Sequence, residues 1–331
     1  YRRGYDSDPD AWDEIGMTPI ERAEIPFGLS RLRLVCEGYR PVDRTIGGGV
    51  LVATSLPPGV SDFLIGSEHY LLDNTETLPE DNVRVPGWRA DIAGESVQLN
   101  DFFLARYEVA NEEFKEFVDS GGYRQPNLWR DPFILDGREI EFENAMELFI
   151  DRTGRPGPST WEAGDYPEGQ DDYPVAGVSW YEAMAYARYR GQELPTIHHL
   201  QRAIARGSVS WLLPQSNLDS GSLRQSGEDD AMSWVGAYDL LGNVREWTVN
   251  AQDGERVIAG GSANAPFFIA TDYLGGVFPT ASTFDRSEWN GLRLMKSSDD
   301  LAVLTITRAA LSVPVLPIAL PESVSDDVFE A

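Results

Sequence analysis

The chain has 331 residues, with 54 acidic and 27 basic side chains and a net charge of -27. That charge excludes a nucleic-acid backbone as partner and opposes an anionic membrane surface, while it favours cation binding where carboxylates converge. The single cysteine, Cys36, excludes an intrachain disulfide, and no apolar run reaches the roughly 18 residues of a membrane span. Membrane insertion by this segment is therefore not expected. The scarcity of cysteine points to the cytoplasm, with an envelope association if an anchor precedes the chain.

In chain order, residues 1–75 read as a small β domain and linker. Gly16-Met17-Thr18-Pro19 and Ile25-Pro26-Phe27-Gly28 are turn sequences, and Arg31 to Val35 alternates as a half-buried strand does. Cys36 follows that stretch and reads as a small core residue. The stretch from Leu51 to Phe63 adds strands or a linker.

Residues 76–298 are rich in Trp, Tyr, Gly and Pro and form a second, loop-rich unit. A helix is expected from Asn111 to Ser120, stopped by Gly121-Gly122, and a weaker one from Glu141 to Phe149. Ser179-Trp180-Tyr181-Glu182 is a capping box, and Trp180, Ala183, Met184 and Ala187 fall on one face of the helix it opens. Thr196 caps a further helix with Leu200, Ala203 and Ile204 as its apolar face. Short strands are expected at Val257–Ala259 and Leu292–Met295. Residues 299–331 form a tail, acidic from Ser323 to Ala331.

Two sets of motifs carry resemblances. Gly16, Thr18, Pro19, Pro26, Gly28, Gly38 and Tyr39 stand in an order similar to that of a PEGA domain. Further on come five blocks: Tyr107 to Phe114; Pro174 to Ala183 with Leu194-Pro195-Thr196; Tyr238 to Thr248; Gly260-Gly261-Ser262; and Asn290 to Leu294. Together they resemble the formylglycine-generating-enzyme, or sulfatase-modifying-factor, family. The resemblance implies an α+β, C-type-lectin-like, loop-rich fold. The stretches Asp151 to Pro158 and Tyr166 to Tyr173 are similar to a bacterial subgroup in which such domains are appended to protein kinases or hydrolases. This implies that the chain is a piece of a larger signalling protein.

The family's aerobic enzymes use a copper-binding cysteine pair just after the Gly-Gly-Ser block. Here Ala265 and Ala270 stand at those positions, so no copper is expected and no catalytic residue is assigned. Only His69, His198 and His199 are available for iron, and the adjacent pair reads as polar surface or capping residues. No P-loop, GxGxxG or Gly-x-Ser-x-Gly motif is present.

Carried over by position, the resemblance implies a structural calcium ion held by the side chains of Asp239 and Glu246 and the carbonyls of Gly242 and Val244. The alternative is that both carboxylates cap turns without metal. Trp161, Phe267, Phe268, Tyr273, Phe278 and Trp289 lie in loops that surround the family's substrate groove. Trp161, Arg286 and Trp289 are the ligand-binding candidates, with core filling as the alternative. The reading is a non-catalytic ligand- or protein-binding module. An enzyme of the same family with an unrecognised site, or a purely structural module, are the alternatives.

Overall fold

The computed structural model describes residues 2–3, 11–21, 23–25, 29–47, 69–76, 81–92, 95–205, 209–267, 278–297, 299, 303 and 306–308. The stretch Leu51 to Phe63, the tail beyond Arg308, and Phe268, Ala270 and Tyr273 lie outside them.

The N-terminal unit is a three-stranded antiparallel sheet in the order β1 (Arg2–Arg3), β2 (Leu29–Leu34), β3 (Val42–Gly47). Strands β2 and β3 pair from Leu29 opposite Gly47 to Leu34 opposite Val42. The strand ends at Leu34, so Cys36 lies in the following turn and is exposed, which corrects its expected place in the core.

This sheet meets the rest of the chain through polar groups. Arg31 pairs with Asp230 at 2.7 Å, and Arg44 Nη1 donates to the Val235 carbonyl at 2.9 Å. Asp43 is buried between Arg33 (2.7 Å) and Arg106 (2.8 Å). Burial alone would raise the Asp43 carboxyl, but its hydrogen bond from Arg33 and the charge of Arg106 hold it below the usual range.

The larger unit mixes small sheets, short helices and long turns. Its central sheet runs β12 (Thr280–Ala281), β11 (Glu255–Ala259), β10 (Arg245–Gln252), β13 (Asn290–Gly291). A second has β7 (Phe102–Ala105) between β4 (Asn82–Val85) and β14 (Met295–Ser297). Hairpins β5–β6 (Trp88–Ile92, Glu95–Leu99) and β8–β9 (Phe133–Leu135, Arg138–Ile140) complete the strands. The expected strand at Leu292–Met295 thus starts at Met295.

Among the described residues there are five α-helices: α1 (Asn111–Asp119), α2 (Phe142–Met146), α3 (Trp180–Tyr189), α4 (Ile197–Ile204) and the short α5 (Val209–Leu212). Helix α3 opens with the capping box read from its sequence. The Glu182 amide donates to Ser179 Oγ at 3.2 Å, and the Ser179 amide donates back to Glu182 Oε2 at 2.8 Å. Thr196 caps α4 at the His199 amide, 3.3 Å away. Ala110, not Asn111, is the capping position of α1.

The core has two main clusters. One is aromatic and joins α1 to α3, with Phe114 stacked on Tyr186 at 5.0 Å between centroids. The other packs Leu200 and Ile204 of α4 against Phe102 and Leu104 of β7. A third, smaller one is Ile92, Val97 and Leu99 of the β5–β6 hairpin, covered by Val303 and Ile306. No helix among the described residues is long and apolar enough to cross a membrane.

Candidate functional site

The chain reaches β10 through a turn in which Asp239, Gly242 and Asn243 all have positive φ, at 55°, 91° and 55°. Aspartate and asparagine tolerate this conformation better than other side chains, and glycine has no Cβ to oppose it. Glycine is needed at 242 for space as well, because a Cβ there would lie 2.5 Å from the Asn217 carbonyl oxygen. The Asn243 side chain holds the turn closed. Its Nδ2 donates to Glu108 Oε2 (2.9 Å) and the Arg224 carbonyl (3.3 Å), and its Oδ1 accepts from Asn217 Nδ2 and the Arg224 amide, both at 3.0 Å.

Four charged side chains are buried beneath this turn, namely Glu108, Asp239, Glu246 and Arg293. Glu246 Oε1 accepts from both Nε and Nη2 of Arg293, at 2.9 and 2.7 Å. The remaining Arg293 hydrogens go to the carbonyls of Ala105, Arg106 and Tyr238, at 3.1, 3.0 and 2.8 Å. All five guanidinium N–H groups are thereby used. Glu108 accepts from Ser226 Oγ, Asn243 Nδ2 and the Val244 amide, and Asp239 Oδ2 accepts from the Gly227 amide at 2.6 Å.

Three buried carboxyl groups thus face one guanidinium. Burial, reinforced by the charge of Asp239, lifts the Glu108 carboxyl well above the ordinary range, and burial pushes Asp239 up to about 7. Protons or an added cation would relieve the excess negative charge. Glu108 and Arg293 both lie within motif blocks of the sequence, yet nothing local to either signals a pairing across the fold.

Among the described residues no three carboxylate, imidazole or thiol side chains converge as a metal cluster. The calcium set implied by the sequence is of another kind, two carboxylates and two carbonyls. Glu246 gives one oxygen to Arg293 and Asp239 one to Gly227, and the Gly242 and Val244 carbonyls accept no hydrogen bond among the described residues. The donors are all oxygen in a region of excess negative charge, which fits a hard divalent cation.

The ligand-binding candidates fare differently. Trp161 is fully buried, edge-on to Phe114 at 6.2 Å, with Nε1 donating to Asn111 Oδ1 at 3.0 Å. It belongs to the core and is not a surface anchor. The Arg286 guanidinium is engaged within the fold. Its Nε and Nη2 donate to the two oxygens of Glu182 at 2.9 and 3.0 Å, and Nη1 donates to the Leu148 and Ile150 carbonyls. Trp289 is half-buried at the start of β13, where its carbonyl accepts from the Arg245 amide at 2.8 Å. Ala265 and Phe278 both pack on the second core cluster, and Phe267 is exposed.

His69 is exposed. His199, expected at the surface, is instead fully buried, edge-on to Phe102 at 4.6 Å, with Nδ1 2.6 Å from Thr196 Oγ1. One step along a helix turns a side chain by about 100°, so its neighbour His198 is left half-buried.

Residues 62–235 match the family described as the sulfatase-modifying factor enzyme 1-like domain. The chain is similar to the formylglycine-generating enzyme of Bos taurus, 29% identical over 194 residues, covering 46% of this chain and 49% of that protein. It is 30% identical over 167 residues to hercynine oxygenase of Mycolicibacterium smegmatis, covering 46% and 38%. It is 26% identical over 168 residues to serine/threonine-protein kinase Pkn1 of Chlamydia trachomatis serovar L2, covering 49% and 25%. The chain therefore spans half or less of the length of these relatives.

Proposed function

Because this chain belongs to the sulfatase-modifying factor enzyme 1-like domain family, we propose that it is a calcium-stabilised, non-catalytic binding module within a larger signalling protein. The observation that carries the reading is the fate of the thiols. The one cysteine is Cys36, exposed on the small N-terminal unit, and Ala265 packs its methyl group on the core just beyond the Gly260-Gly261-Ser262 turn. Thiolates are the soft ligands that copper(I) chemistry needs, and neither alanine nor the oxygen-rich turn at Asp239 replaces them. The likeness to a protein kinase supports a place beside a kinase domain, and the net charge of -27 argues against a nucleic-acid partner.

In this reading calcium is held by Asp239 and Glu246 and by the Gly242 and Val244 carbonyls. When bound, it supplies charge balance for the buried carboxylates. Arg293 orients Glu246, Asn243 fixes the turn, and the Gly227 amide fixes Asp239.

Elemental analysis of the purified chain, with melting in calcium and in chelator and an oxidation assay on cysteine peptides, tests the proposal. Near-stoichiometric calcium, a melt lowered by chelator and no oxidation are expected. Stoichiometric copper with turnover of the peptide thiol would overturn the non-catalytic reading. A melt indifferent to calcium would overturn the metal assignment.

A further inference from the structure

A cavity of about 380 Å³ opens between helix α4 and strand β5, lined by Trp88, Asp91, His198, Gln201 and Arg202 among others. Its size is that of a small-molecule site. Its walls are fixed by packing. Trp88 is braced by Phe102 at 6.1 Å and His199 at 5.9 Å, and the carbonyl of the lining residue Arg202 accepts from Trp234 Nε1 at 3.0 Å.

Arg202 is the unusual member. Its guanidinium lies over the indole of Trp234 at 4.8 Å and near that of Trp88 at 5.9 Å. Its Nε donates to the Pro86 carbonyl at 3.1 Å. No carboxylate among the described residues pairs with it, and burial is the one influence on its titration. In a chain with 54 acidic and 27 basic side chains, an arginine without an acidic partner in a cavity calls for an external anion. Among the described residues that line the cavity, Arg202 is the one cation near neutrality, because burial depresses His198 to about 4.

The geometry narrows the anion. A planar guanidinium fork matches a carboxylate in two parallel hydrogen bonds. The indole of Trp88 offers a flat apolar face beside it. Asp91, exposed and also lining the cavity, would repel a second negative charge. The helix that carries Arg202 ends in Ala205 at φ 52°, a conformation a residue with a Cβ rarely adopts, and Ala205 lines the same cavity.

We propose that this cavity binds a small monocarboxylate with a planar apolar body, its carboxylate on the free edge of Arg202 and its body against Trp88. The inference depends neither on the calcium turn nor on the loss of thiol chemistry.

Calorimetric titration of the full chain with sodium benzoate, sodium acetate and inorganic phosphate tests it. Saturable benzoate binding with a Kd of about 1 mM or tighter is expected, with acetate weaker for want of the ring and phosphate weaker because of Asp91. Arg202→Gln should weaken benzoate about tenfold or more, while Arg89→Gln, a charge change on the exposed face of β5, should bind as the parent does. Should Arg202→Gln fail to fold, Trp88→Phe decides, since benzoate quenching of the Trp88 indole must disappear with it. No saturable benzoate binding, phosphate binding as tight as benzoate, equal binding by Arg202→Gln, or unchanged quenching in Trp88→Phe would each overturn the proposal.

Discussion

Arg293 places two N–H groups on a single oxygen of Glu246, at 2.9 and 2.7 Å, and both side chains are shielded from solvent. A buried ion pair adds little net stability over an apolar replacement, but losing one partner is costly because the other charge is stranded. Here Glu246 would be stranded, and Glu108 and Asp239 would lose the positive charge that faces them. Arg293→Lys retains a charge but has three donors on one atom, which cannot reach four acceptors spread over Glu246, Ala105, Arg106 and Tyr238. We expect it to lower unfolding free energy by about 3–5 kcal/mol, read from urea denaturation. A loss below about 1 kcal/mol would show that the guanidinium is not the keystone of the cluster.

The Arg286 guanidinium grips Glu182, the glutamate of the capping box of α3, 104 positions earlier in the chain. The same carboxylate accepts from Tyr123 Oη at 2.6 Å and the Ser179 amide at 2.8 Å. Arg286→Gln is therefore expected to cost about 3 kcal/mol of stability. A cycle with Glu182→Gln should give a coupling of about 1.5 kcal/mol or more. A surface ligand contact would instead leave stability within about 0.5 kcal/mol of the parent.

These two clusters mark what the sequence discloses. The capping box at Ser179 is legible because both partners lie within one helical turn. Glu182's second partner is not, since nothing local links it to Arg286. The turn at Asp239 is legible as a motif, while the balance of charge beneath it depends on Glu108 and Arg293, which only the fold brings together. Trp161 lies in a loop with no periodicity to say which way it faces; the fold packs its ring against Phe114, and Asn111 satisfies its buried N–H. Alternation from Arg31 onward marks β2 correctly, but the pattern continues past Leu34, where pairing stops, and so misplaces Cys36.

The proposed calcium ion at the Asp239 turn carries a quantitative expectation. A ligand that binds only the folded state stabilises it by about 2.7 kcal/mol at a hundredfold excess over its Kd. Melting in excess calcium should therefore exceed melting in chelator by several degrees. Asp239→Asn keeps an oxygen and the shape of the turn but removes a charge, so the calcium increment should shrink sharply. An undiminished increment in Asp239→Asn would place the ion elsewhere.

His198 supplies a dependence on pH. Burial, with a smaller contribution from the neighbouring His199, lowers its folded pKa to about 4 from an ordinary 6.5. As pH falls through that window the unfolded chain takes up a proton that the fold refuses, so stability falls with falling pH. The contribution is complete above about pH 6.5 and is lost progressively towards pH 4. The full shift corresponds to about 3 kcal/mol, and partial solvent access reduces this to about 1–2 kcal/mol. His198→Gln removes the proton acceptor while keeping a polar side chain of similar length. Compared at pH 7.5 and pH 5, the parent should lose about 2–8 °C more in Tm than the variant. Identical losses in the two proteins would mean that His198 reaches water freely enough to titrate as it does in the unfolded chain.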